Sequence, residues 1–530
     1  MIKKLLLTII ILSSVHFAQG GGNPALELPS FVITGKMEFT FPLAQKKKPE
    51  LISTVSQDYF KTEFSPQDLL VRSVSDPIEK QAQSNEDTVD FVQGTMKVSA
   101  GTLQLPAGAI SMSFPMNRAF IHASIFGENT VAYVENAGVV QTGGNLIAHY
   151  YTPNNAEFLP GTDLSANVSG NQRFYKMFGT TGTIPSRSLY LAKVSGGLQN
   201  LMNDEITYGA TLTGNSVGIS QDEFTENTLS TKGFVDARIS GITINGSFAS
   251  STSSLSMKGG NDLSSNSFTA MGLAGFKYSQ DIRLQGGISF YQRSGYSKLY
   301  LQARAFIRLA EGLTVFAEYN PSTSPVLFSE LLQTNPYLDV LTPIPMVIEK
   351  KNAIAGAIKF EIPGNYEINA GVRAHSSDAR FYFQPATTTG YFDFGYTDVT
   401  HLSLFTNFAF NPGPLGRLFG ELSVSSNKNS AGKTLPYTPV IDALITYGFN
   451  EMEGITVETT VKFSSSVYAD IANTKTLDSS FNLAVLAGYN FSRSIRFYAE
   501  ARNLLGLEKY KFEGYKLPGA SLSIGAQYSW

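Results

Sequence analysis

The chain has 530 residues, no cysteine, 16% charged and 12% aromatic residues, and a formal net charge of -3. This composition excludes disulfides, thiolate metal sites and a lipidated N-terminal cysteine, and with no basic stripe it excludes a nucleic-acid partner. Its 47 glycines, 37 phenylalanines and 25 tyrosines argue against both disorder and a helical enzyme.

Residues 1–20, MIKKLLLTIIILSSVHFAQG, have the form of a secretory signal. Lys3 and Lys4 make the basic region, Leu5 to Val15 the apolar core, and Ala18-Gln19-Gly20 the small-residue cleavage site. That apolar run is too short to cross a bilayer as a helix, and no later segment holds ~18 consecutive apolar residues. Residues 21–93 are expected to form a periplasmic or luminal N-terminal segment. Within it LELPSFVIT, residues 26–34, is apolar with a β-branched pair, Val32 and Ile33, and a basic run, Lys46 to Lys48, follows. Such a stretch can add a strand to an exposed sheet edge; the alternative is a solvated lead-in with no partner.

From residue 94 the chain reads as β-strands. Candidates lie near 94–103, 107–115, 119–126, 129–139 and 145–152. A Gly-, Pro-, Asn- and Thr-rich stretch, 153–187, reads as an external loop. Further strands lie near 188–199, 205–217, 231–240, 242–253, 268–278 and 282–292. Beyond them the alternation is strong. Leu299, Leu301, Ala303 and Ala305 interleave with Lys298, Tyr300, Gln302 and Arg304, and Ile368, Ala370 and Val372 interleave with Asn369, Gly371 and Arg373. Ile455, Val457 and Val461 share one face, opposite Glu458 and Lys462. Ile495 and Phe497 lie opposite Arg496, Glu500 and Arg502. The chain ends in ASLSIGAQYSW, with Leu522, Ile524, Tyr528 and Trp530 on one side and serines, Gly525 and Gln527 on the other. Period two marks a strand with different surroundings on its two faces, and lengths near ten residues suit a tilted strand crossing a bilayer better than a soluble one of roughly 5–6.

From residue 298 the connections alternate. Short ones lie near Ala310-Glu311-Gly312, Pro363-Gly364-Asn365, Pro412-Gly413-Pro414, Glu451-Met452-Glu453 and Ser492-Arg493-Ser494. Long ones span 320–352, 376–390, 425–438, 465–479 and 504–518. Short turns on one rim and long loops on the other are the pattern of an outer-membrane barrel, with its turns periplasmic. Because lipid allows no open sheet edge, the expected fold is all-β: a closed antiparallel transmembrane β-barrel over 94–530, of about 22 strands, within a range of 20–24.

Four segments resemble the barrel of TonB-dependent outer-membrane receptors, in the order that family has them. LTVFAEYNPSTSPVLFSELLQTNPYLDV resembles a strand and its following "FRPP…SELY…NP.L" loop. GKTLPYTPVIDALITYGF resembles the "G.RLPYTP" loop and next strand. GITVETTVKFSSSVYAD resembles the strand after that. IRFYAEARNLLGLEKYKFEGYKLPGASLSIGAQYSW resembles the "ENLFDK.Y" pair, the "PGR" turn and the terminal aromatic strand. The resemblance covers the last 215 or so residues. It implies an outer-membrane transporter or receptor, assembled by the barrel-assembly machinery through a C-terminal signal that maps here to Tyr528 and Trp530. LPSFVITGK resembles the TonB box, so Phe31, Val32, Ile33 and Thr34 are the expected contact for the TonB energy transducer. Family plug runs such as "RIEVLRGP" and "GGVINI" are not found, so the expected receptor lacks a complete plug, and its lumen is filled by residues 21–93, by external loops or by another protein. The alternative function is a structural or assembly barrel, or a passive porin-like channel, engaging another envelope protein.

No catalytic, cofactor or metal site is expected. The mature chain keeps His122, His149, His375 and His401, with no HExxH, no acidic calcium loop, no GxSxG and no P-loop. The charges Arg304, Arg373, Glu458, Lys462, Glu500 and Arg502 are expected to form a hydrated luminal wall.

Overall fold

The computed structural model describes residues 93–530, apart from 201–204, 240, 261, 342–346, 363–364, 412–415 and 453. The expected signal sequence and the N-terminal segment with Phe31, Val32, Ile33 and Thr34 lie outside the described residues.

Among the described residues, 22 antiparallel strands close into one barrel. They are β1 (Gly94–Gly101), β2 (Gln104–Met116), β3 (Ala119–Thr130), β4 (Val139–Tyr151), β5 (Thr162–Lys176), β6 (Ser186–Asn200), β7 (Ile206–Ile219) and β8 (Phe224–Ile239). Then come β9 (Ile242–Ser256), β10 (Leu263–Lys277), β11 (Ile282–Arg293), β12 (Tyr296–Ala310), β13 (Leu313–Tyr319), β14 (Val347–Ile362), β15 (Tyr366–Pro385) and β16 (Phe392–Phe410). The last six are β17 (Arg417–Lys428), β18 (Ile441–Met452), β19 (Ile455–Ser464), β20 (Ser480–Asn490), β21 (Ile495–Arg502) and β22 (Ser521–Ser529). Each strand pairs with the next in sequence, and β1 pairs with β22 from Thr95↔Ser529 to Gly101↔Ser523. That last ladder removes the two edges that lipid would leave without hydrogen-bond partners.

The alternation seen in the sequence becomes the two faces of the wall. Leu301 is 69% exposed, whereas its neighbour Gln302 is 4% exposed and donates to Ser289 Oγ at 2.8 Å. Phe497, Ala526, Val98 and Gly108 are successive cross-strand partners, so the apolar face runs unbroken through the closure. At the turn-bearing rim, aromatic side chains gather in neighbouring pairs: Tyr366 with Phe410 at 5.7 Å, Phe491 with Phe497 at 6.1 Å, and Tyr528 with Trp530 at 5.7 Å between ring centroids. Amphipathic rings are favoured at the level of lipid headgroups, which places this rim at a membrane surface. The luminal face carries paired charges, among them Arg502 with Glu500 at 2.6 Å and Arg304 with Glu318 at 3.7 Å.

Three sequence expectations change. The stretch 153–187 is not one loop, because it contains β5. That strand's outward side chains include Val168 and Phe174, but Ala166, Gly170 and Gln172 interrupt them and its inward residues are mostly Asp, Ser and Asn, so a strand facing a hydrated lumen was masked by loop-like composition. Conversely, 129–139 is not a strand: β3 ends at Thr130, Ala137 N–H donates to Val134 O at 3.0 Å, and Asn136 takes φ 66°, a turn conformation that asparagine tolerates. The two errors cancel in the total. Finally, 376–390 is mostly strand. β15 and β16 run to 20 and 19 residues and stand above their neighbours, against 8 residues in β21.

At the seam, Gly94 and Trp530 exchange backbone hydrogen bonds of 3.1 and 3.0 Å. A Cβ on Gly94 would lie 2.3 Å from the indole, so only glycine lets that ring lie flat across the closing ladder.

The two faces make a direct test. Ile524→Arg should cost about 2–4 kcal/mol in reversible unfolding into detergent or lipid, as a cation in the lipid face does near mid-bilayer. Ser523→Arg should cost much less, because Ser523 faces the lumen opposite Glu500. Equal losses at the two positions would reverse the assignment of the faces.

Candidate functional site: the loop-closed mouth

The connection after β13 first runs along β14 as a short strand, Ser322–Pro325, then turns into helix α1, Phe328–Thr334. Phe328, Leu331 and Leu332 fall on one helical face at i, i+3 and i+4, and all three are buried. They pack with Leu338 and Val340 against wall side chains from β5 to β9, including Leu189, Ile219, Phe224 and Leu255. Phe224 meets Phe328 edge to face at 4.8 Å.

Buried charges on the wall hold both ends of this lid. Within α1 no side chain caps the first turn; instead Glu226 of β8, 4% exposed, accepts from Ser329 N–H at 3.1 Å. A carboxylate there satisfies an orphan amide and opposes the helix dipole. After the helix, Arg187 of β6, 2% exposed, donates to Pro336 O at 3.1 Å and Leu338 O at 2.7 Å. Its other terminal nitrogen pairs with Asp222 at 2.7 Å. Tyr175 of β5 donates to the same Pro336 carbonyl at 2.5 Å. Burial pushes the Asp222 carboxyl above its ordinary range, against the pull of Arg187.

The lid then reaches the far wall. Asp339 N–H donates to Phe392 O at 2.6 Å, and Phe392 N–H donates to Tyr337 O at 3.1 Å. Tyr337 stacks on Tyr515, from the loop before β22, at 3.4 Å between centroids. Tyr515 donates to Gly390 O at 2.6 Å and meets Phe178 at 4.9 Å. Phe392 and Tyr437 both reach Phe512, at 5.2 and 5.1 Å. Burial pushes the phenols of Tyr337, Tyr437 and Tyr515 well above their ordinary range, so they stay neutral. Five connections, β5–β6, β13–β14, β15–β16, β17–β18 and β21–β22, thus meet in one apolar cluster across the mouth.

Against this cluster lies a cavity of about 260 Å³ lined by Tyr133, Arg173, Phe178, Tyr337, Lys511 and Tyr515, among others. The Arg173 guanidinium sits 5.6 Å from the Tyr175 ring centroid, and its buried Nε has no hydrogen-bond partner among the described residues. The cavity is therefore cationic and aromatic. A larger concavity of about 1020 Å³ lies elsewhere, around the β1–β22 seam, and its lining of Val98, Phe497, Ile524 and similar side chains belongs mainly to the lipid face.

Of the residues singled out in the sequence, Tyr528 and Trp530 sit at the turn-bearing end of the closing strand. All four histidines are on luminal positions and reach polar or aromatic partners: His122 with Ser113 at 2.9 Å, His149 with Asp163 at 3.0 Å, and His375 with His401 at 4.6 Å between rings. Among the described residues no three His, Asp or Glu side chains gather as a metal site. Arg187, Asp222, Glu226 and Tyr337 were not anticipated. Their signal is weak in the sequence, since each is a lone polar or aromatic residue at a strand end or in a loop.

No known protein-family profile matches the chain, and no curated protein matches it. Solved structures do. The ferric-catecholate import receptor Fiu from E. coli K12 is 13% identical, with 83% of this chain and 82% of that one covered and a TM-score of 0.63. The siderophore receptor PiuA from Acinetobacter baumannii is 11% identical, with 82% and 81% covered and a TM-score of 0.64. The copper transporter OprC is 10% identical, with 82% and 80% covered and a TM-score of 0.62. The chain therefore has the fold of a TonB-dependent outer-membrane receptor barrel, as the terminal motifs implied.

The clamp is open to test. Arg187→Ala removes two hydrogen bonds to lid carbonyls and leaves the half-buried Asp222 without its partner, so the loss should fall below the ~3–5 kcal/mol of a fully buried pair. The barrel should still assemble, because Arg187 joins no strand ladder by its side chain. The lid should loosen, read as faster proteolysis or hydrogen exchange confined to 326–341. Arg187→Lys should rescue little, since an ammonium cannot span two carbonyls and a carboxylate.

Proposed function

We propose that the protein is an outer-membrane receptor or transporter whose outward mouth is shut by its own loops. The observation that carries this reading is the lid held to the wall by Arg187 and Glu226 in a barrel of receptor fold. A barrel of this many strands has a lumen wide enough to leak unless something fills or covers it, and a loop lid supplies a cover that a ligand can displace. The long-loop rim faces outward and the short-turn rim faces the periplasm. In this reading the barrel sits in outer-membrane lipid, is delivered by the barrel-assembly machinery through Tyr528 and Trp530, and carries out no catalysis. Residues 21–93 would supply the link to energy: Phe31, Val32, Ile33 and Thr34 would pair as an added strand with the TonB transducer. No complete plug is assigned to the chain, so the lumen would be filled from residues 21–93 or by another protein. The ligands of Fiu, PiuA and OprC are not carried over.

Single-channel recording decides whether the mouth is the barrier. The unaltered protein should conduct little, and Arg187→Ala or Glu226→Ala should raise open-state occupancy at least tenfold. High conductance of the unaltered protein would favour a passive channel. Silence in all variants would favour a scaffold engaging another envelope protein. Coupling is tested separately. Ile33→Pro removes a backbone donor and blocks strand addition, so it should abolish crosslinking to the transducer without changing heat-modifiable migration on gels. Absence of crosslinking in the unaltered protein would remove the TonB-coupled reading.

A further inference from the structure

The luminal wall between β14 and β17 gathers several nitrogen bases. His375 of β15 and His401 of β16 are direct cross-strand partners, with ring centroids 4.6 Å apart. Leu402 and Leu404 point to lipid, so His401 points to the lumen. His401 Nδ1 lies 2.7 Å from Asn427 Oδ1 of β17, an oxygen that only accepts, so Nδ1 keeps its hydrogen and Nε2 is the atom left to take up a proton. Lys351 of β14 pairs with Ser376, which sets Lys350 beside the strand position next to His375, and Arg380 of β15 pairs with Thr397, four residues before His401; the charges of both act on the two imidazoles. Arg373, two residues before His375, stands 4.1 Å from the Phe405 ring centroid.

The carboxylates nearby are engaged by other groups. Glu318 pairs with Arg304 at 3.7 Å, and Asp378 pairs with Lys351. Glu349 accepts from Tyr296 and Tyr300, each at 2.9 Å. Among the described residues neither Lys350 nor Arg380 forms an ion pair. Like charges held together in a partly desolvated wall repel one another, and a counter-ion of high charge density relieves that repulsion.

We propose that His375, His401, Lys350 and Arg380 form a luminal binding site for a compact oxyanion of at least two negative charges, and that this site takes up a proton as the anion binds. In the empty site, a proton added to either imidazole joins the positive charges of Lys350 and Arg380. A bound dianion reverses the local field, so an imidazole with an ordinary value near ~6.5 gains its proton in the complex. Affinity then rises as pH falls through that range, approaching about tenfold per pH unit for each proton taken up. The site stands on the wall geometry and does not depend on the transport reading.

The test is calorimetric titration of the full-length protein in detergent with sulfate, whose charge is constant from pH 6 to 8. Binding should be at least about tenfold tighter at pH 6 than at pH 8. Titration in two buffers of different ionisation enthalpy should show proton uptake by the unaltered protein, a readout that needs no variant. His375→Gln with His401→Asn should flatten the pH dependence, and Lys350→Gln with Arg380→Gln should remove binding, with heat-modifiable migration confirming a folded barrel in each. No sulfate binding at either pH, binding without proton uptake, or a pH dependence that survives the histidine changes would each overturn the proposal. Those failures leave the conductance and crosslinking results untouched, so the two readings stand or fall apart.

Discussion

Every backbone N–H and C=O of a strand inside hydrocarbon must find its partner in protein, because lipid offers none. In this molecule the last of that demand is met by the ladder that joins the first and last barrel strands, β1 to β22. With it go the antiparallel order, the even strand number, and the meeting of the start of β1 with the end of β22 at one rim. The same demand explains why Gly94 meets the indole of Trp530: the last residue can complete the ladder only if nothing projects from the first strand at that point.

Closure also creates the problem that the loops answer. A ring of this many strands encloses more space than its inward side chains can fill. The cover is built from elements distant in sequence, and its anchors are buried charges. Burying a guanidinium or a carboxylate costs several kcal/mol unless its partners are supplied in the right geometry. Arg187 receives two carbonyls and Asp222, while Glu226 receives a backbone amide of α1 and the hydroxyl of Ser253 at 3.3 Å. These contacts define one place for the lid, whereas apolar packing alone would accept many.

The likeness to receptors at 10–13% identity has the same physical basis. The ladder is made by backbone, and the wall needs only an outward apolar and an inward small or polar residue at alternating positions. Many sequences satisfy that rule, so the fold persists after recognisable sequence similarity has faded. Ligand chemistry sits in the loops and the luminal charges, where no such rule constrains the residues.

Much of the wall was legible in the chain because period two is a local property. Alternation in Leu299 to Ala305 or Leu522 to Trp530 identifies a strand, its two faces and, with turn lengths, a membrane barrel without any knowledge of neighbours. Where the outward residues are sparse, as in β5, the local signal fades into loop composition; where a turn carries valines, as at 131–138, it imitates a strand. The mouth was not legible at all. Tyr175 and Pro336, or Tyr515 and Gly390, are separated by 161 and 125 positions, and nothing near either residue encodes the other. His375 and His401 became neighbours only through the register of β15 on β16. The sequence by itself determined an exported, lipid-facing barrel, because faces and lengths are written residue by residue. Only the tertiary structure decided which loops close the mouth and which charges meet in the lumen, because those depend on register and on loop convergence, which short-range pattern does not contain.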